Sequence, residues 1–407
     1  MSELKIVVVG AGLGGLCLAQ ALRRRNIPVE VFERDETPWD RPQGYRLHLD
    51  GDGINALRQS LPPALFEIFD ATSMKARPFT TIVDTALAVQ RRVPDNEHGG
   101  TQDPSLDGSS AHLNVDRATL RQILLAGLED AVHFGKVFSH YKSDENGITA
   151  AFEDGTKITG DVLVGADGIR SKVRRQRVPH AQTQDSGLCA IYGRLPITEA
   201  VRLLPKQACE DTFTVALDEK KLFLGLGPVV FPKRPEVAGS QTTPTIKLRP
   251  QEDYVVCIIG GRRELFGQDT ANLSALSSED LQKLSLQLMK DWPERARAIP
   301  AHGDPTSFFF VEMHTSVPCK MSTCANVTLL GDAIHAMTPT LGRGANIAMR
   351  DAALLARYLE EGASGRRPLA QMMSEYEAEM TSYGFDVVEK SVAMGIRLVG
   401  QNPLPSG

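Results

Sequence analysis

The residues of this 407-residue chain whose types and spacing could do chemistry are a glycine-rich turn near the start and three carboxylates at the ends of apolar runs. The turn, Gly10-Ala11-Gly12-Leu13-Gly14-Gly15, follows Ile6-Val7-Val8-Val9 and contains the pattern G-x-G-x-x-G. In such a turn Gly10 bends the chain, Gly12 lets a pyrophosphate lie against the backbone, and Gly15 lets the next helix pack on the strand. The helix start then offers N–H groups and the positive end of its dipole to phosphate. Glu33, followed by Arg34, closes the next apolar run, where a carboxylate suits the ribose hydroxyls of an adenosine. An acid there repels a 2′-phosphate, so the pattern suits FAD or NAD rather than NADP.

Two more carboxylates stand in comparable places. Asp167 follows the apolar run in DVLVGADGIRSKVR (161–174), and Asp332 follows that in NVTLLGDAIH (326–335). A carboxylate has acceptor sites only, so at a strand end it suits the hydroxyls of a bound sugar or sugar alcohol. Aspartate is also a favoured helix cap, and each residue alone reads as that too.

These residues need elements to hold them. The pattern predicts a strand over 5–9, a helix over about 14–25 and a strand over 29–33, a βαβ unit. The stretch 41–70 carries Gly44, Gly51 and Gly53 and favours turns, while 93–111, VPDNEHGGTQDPSLDGSSA, reads as a polar mobile loop or insertion. Asn114 or Asp116 caps a helix that buries Leu120, Ile123, Leu124 and Leu128. Strands near 148–153 and 157–164 follow. Between about 186 and 315 strand-like runs predominate, interrupted by one helix that Ser277-Ser278-Glu279-Asp280 starts and Leu281, Leu284 and Leu288 anchor. A strand ending near 332 leads into a helix over about 344–361 and two more, near 368–383 and 385–399. The fold class is therefore α/β: a discontinuous Rossmann-like dinucleotide-binding domain (1–180 with 320–365), an inserted β-rich domain (181–319) that forms the substrate wall, and a C-terminal helical segment (366–407).

Bulk properties exclude several classes. The chain is 42% hydrophobic and 23% charged with a formal charge of −5, which suits a globular protein and not a phosphate-coating nucleic-acid surface. Arg23-Arg24-Arg25 and Arg174-Arg175 read as exposed helix ends. Six cysteines (17, 189, 209, 257, 319, 324) lack CxxC spacing or a dense framework, so reduced thiols in a cytoplasmic setting are expected. Glycines break the apolar start, and Glu3 sits before it, so neither a signal peptide nor a membrane span is expected.

With the glycine turn, the Asp167 and Asp332 segments resemble the three motifs of the single-component FAD-dependent aromatic hydroxylases, the group typified by para-hydroxybenzoate hydroxylase. The resemblance covers about 1–175 and 325–360, and the middle by strand content. It implies FAD bound by Gly10, Gly12, Leu13, Gly14, Gly15, Glu33 and Arg34, with Asp332 accepting from a ribityl hydroxyl and Asp167 near the pyrophosphate. Arg117 resembles the arginine or glutamine that contacts FAD, with Arg121 second to it. Gly44 and Arg46 lie where such enzymes bring polar groups toward flavin and substrate. The run TPTLGRGANIAMRDAALL then reads as a flavin cradle: Pro339 stiffens it, Gly342 and Gly344 leave bare backbone for the ring, and N–H groups at Ala345 and Asn346 open a helix beneath the isoalloxazine. Reduced flavin is negative at N1, and a helix start supplies fixed donors. His335 reads as a packing element rather than a base.

The resemblance further implies that NADPH or NADH visits transiently and reduces FAD. Then O₂ forms a flavin C4a-hydroperoxide, and one oxygen atom passes to an aromatic or polycyclic small molecule. No second glycine fingerprint reserves a domain for the nicotinamide. Arg46 and Tyr192 are the candidate catalytic residues, with Arg194 beside Tyr192, while Arg343 offers a cation to a nucleotide or an anionic substrate. A flavin-dependent epoxidase or antibiotic-modifying hydroxylase would use the same chemistry. A halogenase would need a W-x-W-x-I-P signature that Trp39 and Trp292 do not provide, and a non-catalytic FAD-binding protein is the remaining alternative. No metal, nucleic acid or membrane is expected as a partner, and the oligomeric state is open.

Overall fold

The computed structural model of the chain describes residues 4–40, 45–95, 112–144, 147–243, 245–267, 269–322 and 324–405. Gly44 and the 96–111 part of the expected loop lie outside the described residues.

A five-stranded parallel sheet carries the glycine turn and the three carboxylates at its strand ends. Its order is Val327–Leu329, Val162–Gly165, Ile6–Val9, Val29–Phe32, Val132–His133. Ile6 pairs with Val162 on one side and Val29 on the other. All four residues of Ile6–Val9 are buried, as expected of a strand covered on both faces. The helices Leu13–Arg24 and Gly344–Ala363 pack together on this sheet.

Gly51 and Gly53, which favour turns by type, lie inside the helix Gly51–Ser60. Asp50 caps that helix, accepting from the N–H groups of Asp52 at 3.0 Å and Gly53 at 3.4 Å. The cap offsets part of a glycine cost of roughly 1 kcal/mol per residue. Gly53 also has a packing reason, because a Cβ there would lie 2.3 Å from the Asn346 side-chain oxygen.

A seven-stranded sheet forms the second half: Phe309–Ser316, Thr183–Pro196, Tyr254–Arg262, Phe223–Val229, Asp211–Leu217, Arg77–Val83, Val89–Pro94. Arg77–Val83 and Val89–Pro94 come from the segment that the sequence reading gives to the first half. Six helices accompany this sheet over 197–301, where one was expected. Three of them start directly after a proline, at Pro196, Pro205 and Pro293, and are too short to carry a periodic apolar stripe. Ser277 caps Ser278–Leu288 as expected, accepting from the Asp280 N–H at 3.1 Å.

Alternation along Thr183–Pro196 divides the sheet into two faces. Cys189, Ile191 and Leu195 face the helices, whereas Leu188, Ala190 and Tyr192 face the other way, with Tyr254, Val256 and Met313. Tyr45, from the first half, packs on this second face.

The two C-terminal helices expected near 368–383 and 385–399 are one, Leu369–Val399, of 31 residues. Gly384 does not break it. The glycine serves packing, since a Cβ there would lie 2.6 Å from His335 Cδ2, and that ring is buried. Gly384→Ala should gain about 1 kcal/mol of helix propensity but lose about 1–3 kcal/mol to overpacking against an immobile ring. A thermal midpoint below that of the unaltered protein is expected; an equal or higher one would show that the ring can move.

Candidate functional site

Strand ends of the parallel sheet meet where side chains are missing. Gly10 has φ +110°, and a Cβ on it would lie 2.3 Å from the Ala166 carbonyl oxygen, which seats the glycine turn on the Asp167 segment. A Cβ on Gly15 would lie 2.1 Å from the Gly10 carbonyl oxygen, and one on Gly14 2.8 Å from Leu330 Cδ1. Gly331 approaches Ala348 in the same way, at 2.9 Å between Cβ positions. Gly12 differs. A Cβ there would meet nothing within 4 Å, so packing does not require glycine at that position. Gly12 is also the N-cap of Leu13–Arg24, without a side-chain cap or an acid in the first turn, which leaves that helix start suited to an anion.

The cleft beside Gly12, of about 250 Å³, is lined by Glu33, Trp39, Arg117, Arg121, Gln122, Arg194 and Arg249 among others. Glu33 is buried and accepts from the Ala11 N–H at 2.7 Å and the Asp35 N–H at 3.1 Å. Arg121 braces the turn by donating to the carbonyl oxygens of Ala11, at 3.2 Å, and Pro38. Arg117 stacks over Tyr45, 5.8 Å from the ring centre, and Arg34 is exposed and does not line the cleft.

Asp167 caps the helix Lys172–Arg177 from a distance, its Oδ2 accepting from the N–H groups of Lys172 at 2.8 Å and Val173 at 3.3 Å. Its Oδ1 is buried and has no hydrogen-bond partner among the described residues. Asp332 is open to solvent, yet protein surrounds it. That enclosure raises its carboxyl above the ordinary range, against the opposing pull of His335 and Arg117. A Cβ on Gly344 would lie 3.9 Å from its Oδ1, so Asp332 faces the start of Gly344–Ala363.

The segment before that helix is a turn, Pro339–Leu341, ended by Gly342 at φ +64°. The C-terminal helix straps it down. Ser391 donates to the Thr338 carbonyl oxygen at 2.8 Å, and Thr340 donates to the Ser391 carbonyl oxygen at 2.8 Å. Ala345 is half-buried in the first helical turn. Asn346 is fully buried, accepting from the Asp50 N–H at 3.0 Å and donating to the His48 carbonyl oxygen at 3.0 Å. Arg343, read from sequence as a cation for a ligand, is buried against Asp50, 3.0 Å from its Oδ2, and against Asp52. Its charge is balanced inside the fold.

Arg46 donates to Asn114 Oδ1 at 2.7 and 3.0 Å and to the Thr212 carbonyl oxygen at 2.5 Å. Burial lowers its pKa to about 10, with Asp95 pulling the other way. Asn114 in turn donates to the carbonyl oxygens of Thr212 and Pro228, so Arg46 and Asn114 join the two halves. Tyr192 stacks on Phe309, ring centres 5.3 Å apart, with Tyr45 at 5.1 Å, and burial raises its hydroxyl pKa. Arg194 pairs with Asp116 at 3.3 Å and lies over the Tyr254 ring.

Sequence reading missed two residues that set this geometry. Asp351, fully buried in Gly344–Ala363, accepts from the Gly331 N–H at 2.7 Å and from the Tyr383 hydroxyl at 2.6 Å, and pairs with His335 Nε2 at 2.6 Å. An acid within the apolar run AMRDAALL was the available signal. Arg174, expected at an exposed helix end, is buried and donates to the carbonyl oxygens of Ala333 and Ile169, each at 2.8 Å. It ties the Asp332 turn to the Asp167 segment, which the run of basic residues conceals.

These features fit FAD: bare backbone at Gly12 for a pyrophosphate, Glu33 beside it for a ribose, and Asp332 as an acceptor facing a helix start.

Comparison with known proteins agrees. Residues 106–391 match the family of FAD binding domains, and residues 8–67 a Rossmann-like NAD(P)-binding domain. The dual O-methyltransferase/FAD-dependent monooxygenase elcB of Phaeosphaeria nodorum is 33% identical over 98% of this chain and 46% of its own length. The FAD-dependent monooxygenase thnD of Trichoderma harzianum is 28% identical over 95% of this chain and 91% of its own. Among solved structures, a protein of Photorhabdus luminescens assigned as an FAD containing monooxygenase superposes with TM-score 0.80 at 28% identity, covering 97% of this chain and 98% of that one. The chain spans about half the length of the first three curated relatives it matches. Among the described residues no helix is long and apolar enough to cross a membrane.

The His335–Asp351 pair makes a pH prediction. Burial lowers the imidazole pKa, but the Asp351 carboxylate outweighs it and the net shift is upward. The stabilisation is therefore complete below the ordinary imidazole value of about 6.5 and fades as pH rises through the higher folded value. His335→Gln should lower the thermal midpoint most in mildly acidic buffer, with the gap narrowing at alkaline pH. A gap that widens there would reverse the sign assigned to the pair.

Proposed function

The chain belongs to the family of FAD binding domains, and we propose on that footing that it is an FAD-dependent monooxygenase. It would consume NADPH or NADH and insert one O₂-derived oxygen atom into an aromatic or polycyclic small molecule. The observation that carries this reading is Asp332, a carboxylate left open within a protein-walled cleft and facing the start of Gly344–Ala363.

These residues would hold FAD, which would supply the redox chemistry, hydride uptake from the nicotinamide and activation of O₂. The chain's own residues do the rest. Gly10, Gly12, Leu13, Gly14 and Gly15 present the start of Leu13–Arg24 to the pyrophosphate, and Asp167 stands behind them. Glu33 accepts from the ribose hydroxyls, and Arg117 balances charge near Asp332. Gly342, Gly344, Ala345 and the N–H of Asn346 carry the ring. Arg46 holds the β-rich half in place over the cleft through Asn114 and Thr212, and Tyr192, with Tyr45 and Phe309, forms an apolar aromatic wall that excludes water from the substrate.

Phenolic and polycyclic aromatic compounds should stimulate NAD(P)H oxidation by the yellow, FAD-loaded protein, and ¹⁸O from ¹⁸O₂ should appear in the product. An epoxide among the products would place the chain with the epoxidases, whereas NAD(P)H oxidation that no aromatic raises would favour an FAD-binding protein without this activity. Asp332→Asn separates cofactor binding from stability. It removes a carboxylate that enclosure makes costly, so the FAD-free protein should melt at the same or a higher temperature at neutral pH, while FAD is retained at least about tenfold more weakly, one charge-assisted hydrogen bond's worth. Undiminished FAD occupancy in that variant would remove Asp332 from the site.

A further inference from the structure

A substrate lying on the aromatic wall and a ring lying on the cradle loop would belong to different halves, so whatever joins wall to cradle would fix the distance between them. The wall is part of the seven-stranded sheet, and the cradle loop leads into Gly344–Ala363. A backbone joint lies between the two. The Ser316 N–H donates to the Ala336 carbonyl oxygen at 2.8 Å, and the Ala336 N–H donates to Ser316 Oγ at 3.0 Å. A further joint is made of side chains, in the turn that follows the helix Leu369–Val399.

Within that turn, neighbouring residues grip different parts. Val399 is buried in the cluster that holds Tyr192, Tyr254 and Met313. Gly400, at φ +69°, reverses the chain. Gln401 is buried and reaches the cradle, its Oε1 accepting from the Thr338 hydroxyl at 2.9 Å. Gly395 leaves the slot for it, since a Cβ there would lie 2.1 Å from that oxygen. Asn402 reaches the sheet. Its N–H donates to the Ser186 carbonyl oxygen at 2.8 Å, its Nδ2 to that of Asp185 at 3.2 Å, and its Oδ1 accepts from Arg262 at 2.6 Å. These bonds land where Thr183–Pro196 bulges, between Asp185 and Leu188. Ser186 Oγ in turn donates to the Met313 carbonyl oxygen at 2.6 Å, which carries the contact into the wall.

Resting on the monooxygenase reading, we propose that the turn over 399–402 sets the spacing between wall and cradle, with Gln401 and Asn402 as positioning residues for oxygen transfer. Stability does not account for Gln401. Its Nε2 is buried with no hydrogen-bond partner among the described residues, and a buried amide N–H without a partner is costly. An apolar side chain of similar length would fill the slot left by Gly395 without that cost. What the amide alone supplies is a fixed acceptor for Thr338, the residue directly before the turn Pro339–Leu341. Asn402, next in the chain, fixes the other end of the same turn to the sheet. A movement of the wall is thereby passed to the cradle through one peptide unit, and the two keep their distance.

With an aromatic that stimulates the FAD-loaded protein, the spacing is read as product formed per NAD(P)H. O₂ that misses the substrate leaves as H₂O₂ with the same two electrons, so product and H₂O₂ together equal the NAD(P)H consumed. A misplacement on the order of 1 Å costs about 10²-fold in rate, so Gln401→Met and Asn402→Ala should each lower product per NAD(P)H at least about twofold, with H₂O₂ rising to match. Gln401→Met should melt as the unaltered protein does. Unchanged coupling in either variant, or a loss in Gln401→Met that comes with a lowered melting temperature, would overturn the positioning role. Hydrogen exchange of the FAD-loaded protein needs no turnover. Asn402→Ala, whose hydrogen bonds go to the β-rich half, should speed exchange over 338–346 as well as over 183–188. Faster exchange confined to 183–188 would show that the turn transmits nothing. Failure of the monooxygenase reading would appear separately, as no aromatic raising NAD(P)H oxidation in the unaltered protein, and the exchange result would stand either way.

Discussion

The structure depends on a close approach of backbones. Gly10 against Ala166, Gly15 against Gly10, Gly14 against Leu330 and Gly331 against Ala348 are contacts in which one methyl group would have to push main chain or buried side chains apart. Because the sheet ends converge so tightly, the turn at Gly10, the Asp167 segment and the turn that carries Asp332 meet at one end of the sheet although they are far apart in the chain. Gly12 stands in the same turn without any such contact. The difference between a glycine demanded by packing and one demanded by nothing in the protein is what marks the binding surface.

Buried charge holds this arrangement in place from behind. Asp351 fixes the Gly331 turn through its N–H, and Arg174 fixes the following carbonyl of Ala333. On the other side of the sheet Arg177 meets Glu377 at 3.2 Å, and Glu377 accepts from Thr328 at 2.9 Å, so the C-terminal helix is keyed to the edge strand. Buried pairs of this kind add little net stability, but losing one partner leaves an unpaired charge, which enforces a single arrangement. Glu377 reflects that cost, its carboxyl raised by burial and drawn back by Arg177.

Much of the first half was legible in the sequence because its signals are local. An apolar run, a glycine turn and a capped helix occupy a few adjacent residues, and Asp116 and Ser277 act as the caps their spacing suggests. Other features depend on partners distant in the chain. Gly384 reads as a helix end until His335 is placed against it, and Arg174 reads as a surface residue until the Asp332 turn folds over it. The face of Thr183–Pro196 that carries Tyr192 was beyond reach for the same reason, since a shift of one residue would exchange its two faces. His48 and His112, whose rings meet at 2.8 Å, come from segments 64 residues apart, and no motif announces their contact.

The route of the chain between its two halves has a consequence for inheritance. The polypeptide leaves the parallel sheet to lay down Arg77–Val83 and Val89–Pro94, rejoins it at Val132–His133, departs again at Thr183 and comes back at Val327. Neither half is a contiguous stretch that recombination could excise. A cut inside the weave would part strands of one sheet, so the two halves pass to descendants together, and a fusion with a methyltransferase such as the longer relatives' names describe would leave that weave untouched.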